Sequence, residues 1–358
     1  MNDIKILVVD DSSFMRKIIS NILEELPELT VVATARDGID ALSKIEFYHP
    51  DVVTLDVDMP RMNGIDTLKE IMFRFPLPVV MVSSLTKDGA AVTMKALSMG
   101  AVDFVSKPSG AISLNMQEVD AELRTKVLAA ALAQSTVPGR PFTTTRIQKD
   151  TSRQVQKTVR PVKSGIRPRL VCIASSTGGP QALQKLLTLL PSTFPLPVVI
   201  AQHMPKGFTA SFASHLNDLC ALHVVEGYEG LPLQPGMVVI APGGFHMIVK
   251  GEKNSPVIGL SDAPPLLSVK PSANILFLSV ADVVGGDAVA VILTGMGRDG
   301  TDGAQALISK GAYVFGESPE SCVIYGMPKA AMEAGVVNEQ LPLQNIAEAL
   351  NRFVRENR

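Results

Sequence analysis

Ser176, His203 and Asp299 each lie just beyond an apolar run and just before a helical pattern. The runs are Leu170-Val-Cys-Ile-Ala, Pro197-Val-Val-Ile-Ala-Gln and Ala288-Val-Ala-Val-Ile-Leu-Thr, the last leading through Gly295-Met-Gly-Arg to Asp299. A hydroxyl, an imidazole and a carboxylate are the parts of a nucleophilic relay. The serine would attack a carbonyl, the histidine would pass its proton to the leaving group, and the acid would hold the imidazole in one tautomer. Backbone N–H groups near Thr177 or Met296 would stabilise the oxyanion. Taken alone, the turn Ser175-Ser176-Thr177-Gly178-Gly179 before a helix opening at Pro180 also fits a phosphate-binding loop or a plain helix cap.

A second set lies in the first half. Asp10 and Asp11, Asp56, Ser83 and Lys107 end the runs 4–9, 51–55, 78–83 and 101–106. Three carboxylates brought together repel one another unless a cation joins them, and hard oxygen ligands suit Mg²⁺. Asp10, Asp11 and Asp56 are the expected metal ligands. Asp56 would be the nucleophile that forms an acyl phosphate, with Ser83 and Lys107 touching the phosphoryl oxygens. No cofactor is expected in the second half.

Both sets need the same scaffold. In a parallel α/β sheet the carboxyl ends of the strands share one edge, so residues far apart in sequence converge there. The expected fold class is α/β with two doubly wound parallel-sheet domains, the first flavodoxin-like and the second Rossmann-like. A helix is expected where Phe14, Ile18, Ile19, Ile22, Leu23 and Leu26 recur at steps of three and four. The chain has 358 residues, 46% hydrophobic and 19% charged, which suits two soluble domains. The net charge of −2 hides a basic segment, with nine Lys or Arg and one acid between Arg140 and Arg169. That segment lacks apolar periodicity and is rich in Thr, Ser, Gln and Pro, as in an extended linker. The expected boundaries are a first domain over 1–125, a basic linker over 126–164 and a catalytic domain over 165–358. No apolar run approaches the roughly 20 residues of a membrane helix, and no signal-peptide core is visible, so a cytoplasmic protein that is not membrane-inserted is expected.

Competing assignments are visible in the same residues. Asp302 lies one helical turn past Asp299 and is the nearest rival acid. His49, His215, His223 and His246 read as surface or core residues, and Cys172, Cys220 and Cys322 as free thiols without metal spacing. Gly295-Met-Gly-Arg-Asp-Gly300 matches GxGxxG and is followed by Glu317 near the dinucleotide spacing. It comes too late in the chain for the two halves such a fold uses, and it leaves Ser176 and His203 idle. A DNA-binding output is disfavoured because the second half is long and acidic in balance, so no nucleic-acid partner is expected. A non-catalytic receptor-binding output is the other alternative.

With Met59-Pro60, Asn63-Gly64 and Lys107-Pro108 added to the strand-end residues, residues 3–125 resemble the response-regulator receiver family. That resemblance implies a histidine kinase as phosphodonor. Ser176-Thr-Gly-Gly, Gln202-His203-Met-Pro with Phe208-Thr209, and Leu293-Thr-Gly-Met-Gly-Arg-Asp299-Gly make the whole chain similar to the chemotaxis protein-glutamate methylesterases, the CheB family. The resemblance implies Ser176, His203 and Asp299 as the triad, and Thr177 and Met296 at the oxyanion side. The implied substrate is a glutamate methyl ester on methyl-accepting chemoreceptors, with glutamine deamidation as a second activity. The two-domain layout adds the expectation that the receiver covers the catalytic edge until Asp56 is phosphorylated. Ala174-Ser175 stands where that family commonly has Gly-Ala, so Ser175 is a rival nucleophile beside Ser176.

Overall fold

Aliphatic runs buried on both faces must be covered by helices on both sides, and the strands that open each half are of this kind. The computed structural model describes residues 3–84, 86–107, 116–133 and 166–357, in two compact units, Met1–Val137 and Pro138–Arg358.

The first unit alternates β1 (Ile4–Val9), α1 (Ser13–Glu24), β2 (Leu29–Ala35), α2 (Gly38–Tyr48), β3 (Val52–Asp56), α3 (Gly64–Arg74), β4 (Val79–Ser83), α4 (Lys87–Ser98), β5 (Asp103–Ser106) and α5 (Met116–Leu132). Its five strands are parallel in the order β2-β1-β3-β4-β5. Side chains of Ser12, Asp37, Asn63 and Thr86 cap α1 to α4, so these helices start close after their loops. The strand β2 escaped the sequence pattern because Leu-Thr-Val-Val-Ala-Thr-Ala at a sheet edge is only half-buried. In α1 the stripe buries Ile19, Ile22 and Leu23, while Phe14 in the first turn is 64% exposed.

The expected linker start at 126 is corrected. α5 runs on through Leu132, with Leu123, Val127 and Ala130 in the core. Lys126 is buried against it, reaching Asp103 at 3.2 Å and Glu122 at 2.8 Å and donating to the Phe104 carbonyl at 2.7 Å. The run of alanines from 129 to 131 blurs the apolar stripe that would have marked the helix. Residues 134–164 of the expected linker, and Pro108 of the Lys-Pro pair, lie outside the described residues.

The second unit contains β6 (Leu170–Ser175), α6 (Gly179–Thr188), β7 (Val198–Gln202), α7 (Thr209–Leu219), β8 (His223–Glu226) and β9 (Met237–Ile240). An antiparallel pair follows, β10 (His246–Glu252) and β11 (Ser255–Ser261), and then α8 (Ala273–Val283). The chain ends with β12 (Ala288–Ile292), α9 (Thr301–Lys310), β13 (Tyr313–Glu317), α10 (Met327–Glu333), β14 (Glu339–Leu341) and α11 (Leu343–Glu356). Seven parallel strands run in the order β14-β13-β12-β6-β7-β9-β8. Consecutive strands depart from β6 in one direction, and β12 returns on its other side. The switch in strand order therefore falls at β12-β6-β7, whose carboxyl ends lead to Ser176, His203 and Asp299.

Candidate active site

The ends of β6 and β7 are tied by side chains before any catalytic group is reached. Ser175, fully buried, donates from its hydroxyl to Gln202 Oε1 at 2.7 Å. The Gln202 amide nitrogen donates to the carbonyls of Ser176 at 3.0 Å and His203 at 2.9 Å. Ser175 is thereby a buried structural donor, which removes it as a nucleophile. Ser176 comes next, half-buried in the turn, with its N–H on the Thr294 carbonyl at 3.0 Å. Gly178, at φ 76°, takes the left-handed conformation that starts α6. Opposite the serine, a Cβ on Gly295 would lie 2.7 Å from Ser176 Cβ, so only glycine lets the two turns approach.

His203 Nε2 is 2.8 Å from Asp299 Oδ2. Asp299 is nearly fully buried and accepts three more hydrogen bonds, from Ala273 N–H to Oδ2 at 2.6 Å, and from Asn274 N–H at 2.9 Å and Ser272 Oγ at 2.8 Å to Oδ1. The carboxylate is thus the N-terminal cap of α8, a place the helix dipole favours for an anion. Burial alone would raise its pKa, but His203 and the two backbone donors outweigh burial and hold it below the usual carboxylate range. An ionised acid only accepts, so Nε2 carries the proton toward Asp299 and Nδ1 keeps a lone pair. Among the described residues, neither the Ser176 hydroxyl nor the N–H groups of Thr177 and Met296 have a protein hydrogen-bond partner. Met296, at this edge, is 41% exposed.

The rivals fall elsewhere. Asp302 is 60% exposed and pairs with Arg298 at 2.7 Å, while the imidazole bonds Asp299 instead. His223 starts β8 on the surface, His49 ends α2, and His215 lies within α7. Glu317, the acid a dinucleotide would need for its ribose, is fully buried and takes Thr294 N–H at 2.8 Å and the Ser321 hydroxyl at 2.9 Å. Burial pushes its pKa up against these donors. Cys172 and Cys322 are buried thiols and Cys220 a partly buried one.

In the first unit the expected set converges. One ligand oxygen each of Asp10, Asp11 and Asp56 lies within 4.8 Å of the others. Lys107 Nζ is 3.1 Å from Asp10 and 2.7 Å from Asp56. Burial, together with the charge of Asp10 and against the pull of Lys107, raises Asp56 to about 6. The lysine stays charged because the two carboxylates outweigh its own desolvation. Ser83 is fully buried and donates to the Gly89 carbonyl at 3.2 Å, so its hydroxyl is held by α4.

Residues 171–350 match the CheB methylesterase family and residues 6–117 the response regulator receiver domain. A protein-glutamate methylesterase/protein-glutamine glutaminase of Symbiobacterium thermophilum is 46% identical over 99% of this chain and 98% of its own. One from Pyrococcus horikoshii is 44% identical over 98% and 94%. The chain belongs to the CheB methylesterase family. A crystal structure of the CheB methylesterase catalytic domain of Thermotoga maritima, at 40% identity, covers 52% of this chain and 99% of its own with a TM-score of 0.51. This CheB-family chain is therefore a methylesterase joined to a receiver domain, and the GxGxxG segment is the turn that carries Asp299. Among the described residues no helix is long and apolar enough to cross a membrane.

Several residues of the CheB-family site carried little signal in the sequence. Gln202 was visible only as the neighbour of His203. Ser272 occupies the N-cap position of α8, yet its side chain reaches Asp299 and leaves the capping to that acid. Ala273 and Asn274 act through backbone N–H groups, which no residue type advertises. His246 is buried and accepts the Ser272 N–H on its ring at 3.1 Å.

Proposed function

We propose that Ser176, His203 and Asp299 hydrolyse glutamate γ-methyl esters on methyl-accepting chemoreceptors, releasing methanol and restoring the glutamate. The observation that carries this is the His203–Asp299 bond at 2.8 Å, with Asp299 fixed by three further donors beside the switch-point serine. His203 Nδ1 takes the Ser176 proton as Oγ attacks the ester carbonyl. The tetrahedral oxyanion is met by the N–H groups of Thr177 and Met296. Collapse gives an acyl-enzyme and methanol, which leaves with the proton from His203. Water, deprotonated by the same imidazole, then frees Ser176 and leaves the carboxylate. A glutamine side chain follows the same route with ammonia leaving, which accounts for a glutaminase activity.

The receiver is the regulator. Asp56 accepts the phosphoryl group of a chemotaxis histidine kinase, Lys107 contacts its oxygens, and Ser83 does so once its hydroxyl leaves the Gly89 carbonyl. Asp10, Asp11 and Asp56 form a donor set suited to Mg²⁺, which when bound would offset their mutual repulsion and that of the incoming phosphoryl group. The protein is expected to act in the cytoplasm, where the methylated segments of chemoreceptors lie. The test is methanol release from methyl-labelled receptor membranes, with and without a phosphodonor. Ser176→Ala is expected to lose about 10⁴-fold or more in rate. Undiminished release by that variant removes the assignment, and no gain with phosphodonor removes the regulation.

A further inference from the structure

His246 is fully buried at the start of β10, and both of its ring nitrogens are committed. Nδ1 is 3.1 Å from the backbone nitrogen of Ser272, which can only donate. Nδ1 is therefore the unprotonated nitrogen, and Nε2 carries the hydrogen that it gives to the Pro264 carbonyl at 3.1 Å. The imidazole thus clasps both ends of the 264–272 segment. From there the contacts lead toward the triad: Ser272 Oγ to Asp299 Oδ1 at 2.8 Å, and Asp299 Oδ2 to His203 Nε2 at 2.8 Å.

The hairpin of β10 and β11 lies outside the seven-stranded sheet, and its residues Met247, Val249 and Ile258 share a core with Leu276, Phe277 and Val280 of α8. Val249 N–H also bonds Ser279 Oγ at 2.9 Å. Packing thus fixes the hairpin against the helix whose first turn holds Asp299. The strand end it brings there is His246.

We propose that His246 is a positioning residue for the esterase. By accepting the Ser272 N–H it sets the rotation of the first turn of α8, and through the Ser272 hydroxyl it sets the carboxylate that orients His203. This rests on the triad proposed above. His246 touches no reacting atom, so its loss should lower kcat with little change in KM, because alignment of the base matters most in the transition state.

Two amides separate its two bonds. In His246→Asn the side-chain oxygen falls near the place of Nδ1 and can accept from Ser272. In His246→Gln the amide reaches toward Pro264 and leaves the Ser272 N–H without its acceptor. On full-length protein with methyl-labelled receptor membranes, His246→Gln is expected to lose about 10- to 100-fold in kcat at nearly unchanged KM, and His246→Asn to stay within about threefold of the parent. Ser272→Ala should fall as far as His246→Gln, and the double variant Ser272→Ala with His246→Gln no further, since the two act along one chain of contacts. Equal losses in His246→Asn and His246→Gln, or multiplied losses in the double variant, overturn the proposal, as does a full kcat in His246→Gln. Should a His246 variant fail to fold, an unchanged kcat in Ser272→Ala is enough to overturn it. Ser176→Ala and His203→Ala in the same assay separate this result from the triad itself. Activity surviving in those variants sinks the triad, whereas their inactivity beside a fully active His246→Gln sinks only the role of His246.

Discussion

Asp299 and Asp56 are both buried carboxylates at sheet edges, yet their surroundings drive them in opposite directions. Asp299 receives four donors and stays ionised, while Asp56 is desolvated by burial, faces Asp10 and is raised to about 6. Between its ordinary value near 3.8 and about 6, the native state holds a proton on Asp56 that the unfolded chain has released. Stability of the receiver should thus fall as pH rises through that window and stay lower above it. Asp56→Asn should accordingly raise the melting temperature of the receiver transition at pH 7 in metal-free buffer, with the gain shrinking toward pH 4. A divalent cation needs the ionised form, so Mg²⁺ binding followed by calorimetry should weaken as pH drops below about 6. Binding that stays level from pH 7.5 to 5 would contradict this account of Asp56. Ser175→Ala strands the oxygen of Gln202 in the core, which costs about 1–3 kcal/mol. Thermal unfolding should register that loss, whereas methanol release should continue, because Ser175 is not the nucleophile.

Three neighbouring strands of the second unit, β12, β6 and β7, each lead to one polar residue of the site, and the turns that follow decide whether those residues meet. Gly295→Ala should test this directly, since the added carbon would sit 2.7 Å from Ser176 Cβ and 2.5 Å from Met327 Sδ. We expect it to lower kcat at least tenfold while the circular dichroism of the sheet is kept; full activity would show that the two turns can part. At this scale the sequence was legible where a strand is buried on both faces. The runs leading to Ser176 and His203 stand out because β6 and β7 are apolar up to their last residue, while those leading to Asp56 and Lys107 carry Thr54 and Asp103 inside an otherwise apolar stretch. It was not legible where support comes from the backbone. The donors that hold Asp299 lie 25 to 27 residues before it and two of the three are plain N–H groups. For the same reason the β10-β11 hairpin, short and partly exposed, gave no hint that it carries His246 to α8.

The two units have separate cores, one built around Ile6, Val8, Val52 and Val105 and the other around Leu170, Ala201, Phe277 and Ile292. Each buries enough apolar surface to fold by itself. A fragment of residues 166–358 is therefore expected to fold and to release methanol from receptor membranes, and to be indifferent to phosphodonor. A fragment that is inactive though folded would show that the receiver supplies part of the catalytic function. Within that fragment the members of the proposed triad differ in what their loss would do to a lineage. Ser176 and His203 are spendable once hydrolysis is no longer selected, because neither holds an element in place. Asp299 closes the end of α8, so its replacement harms the fold before it harms the chemistry. A descendant that kept only the docking of receptors would be expected to discard the serine and retain the aspartate, and the surviving acid would then record a lost reaction.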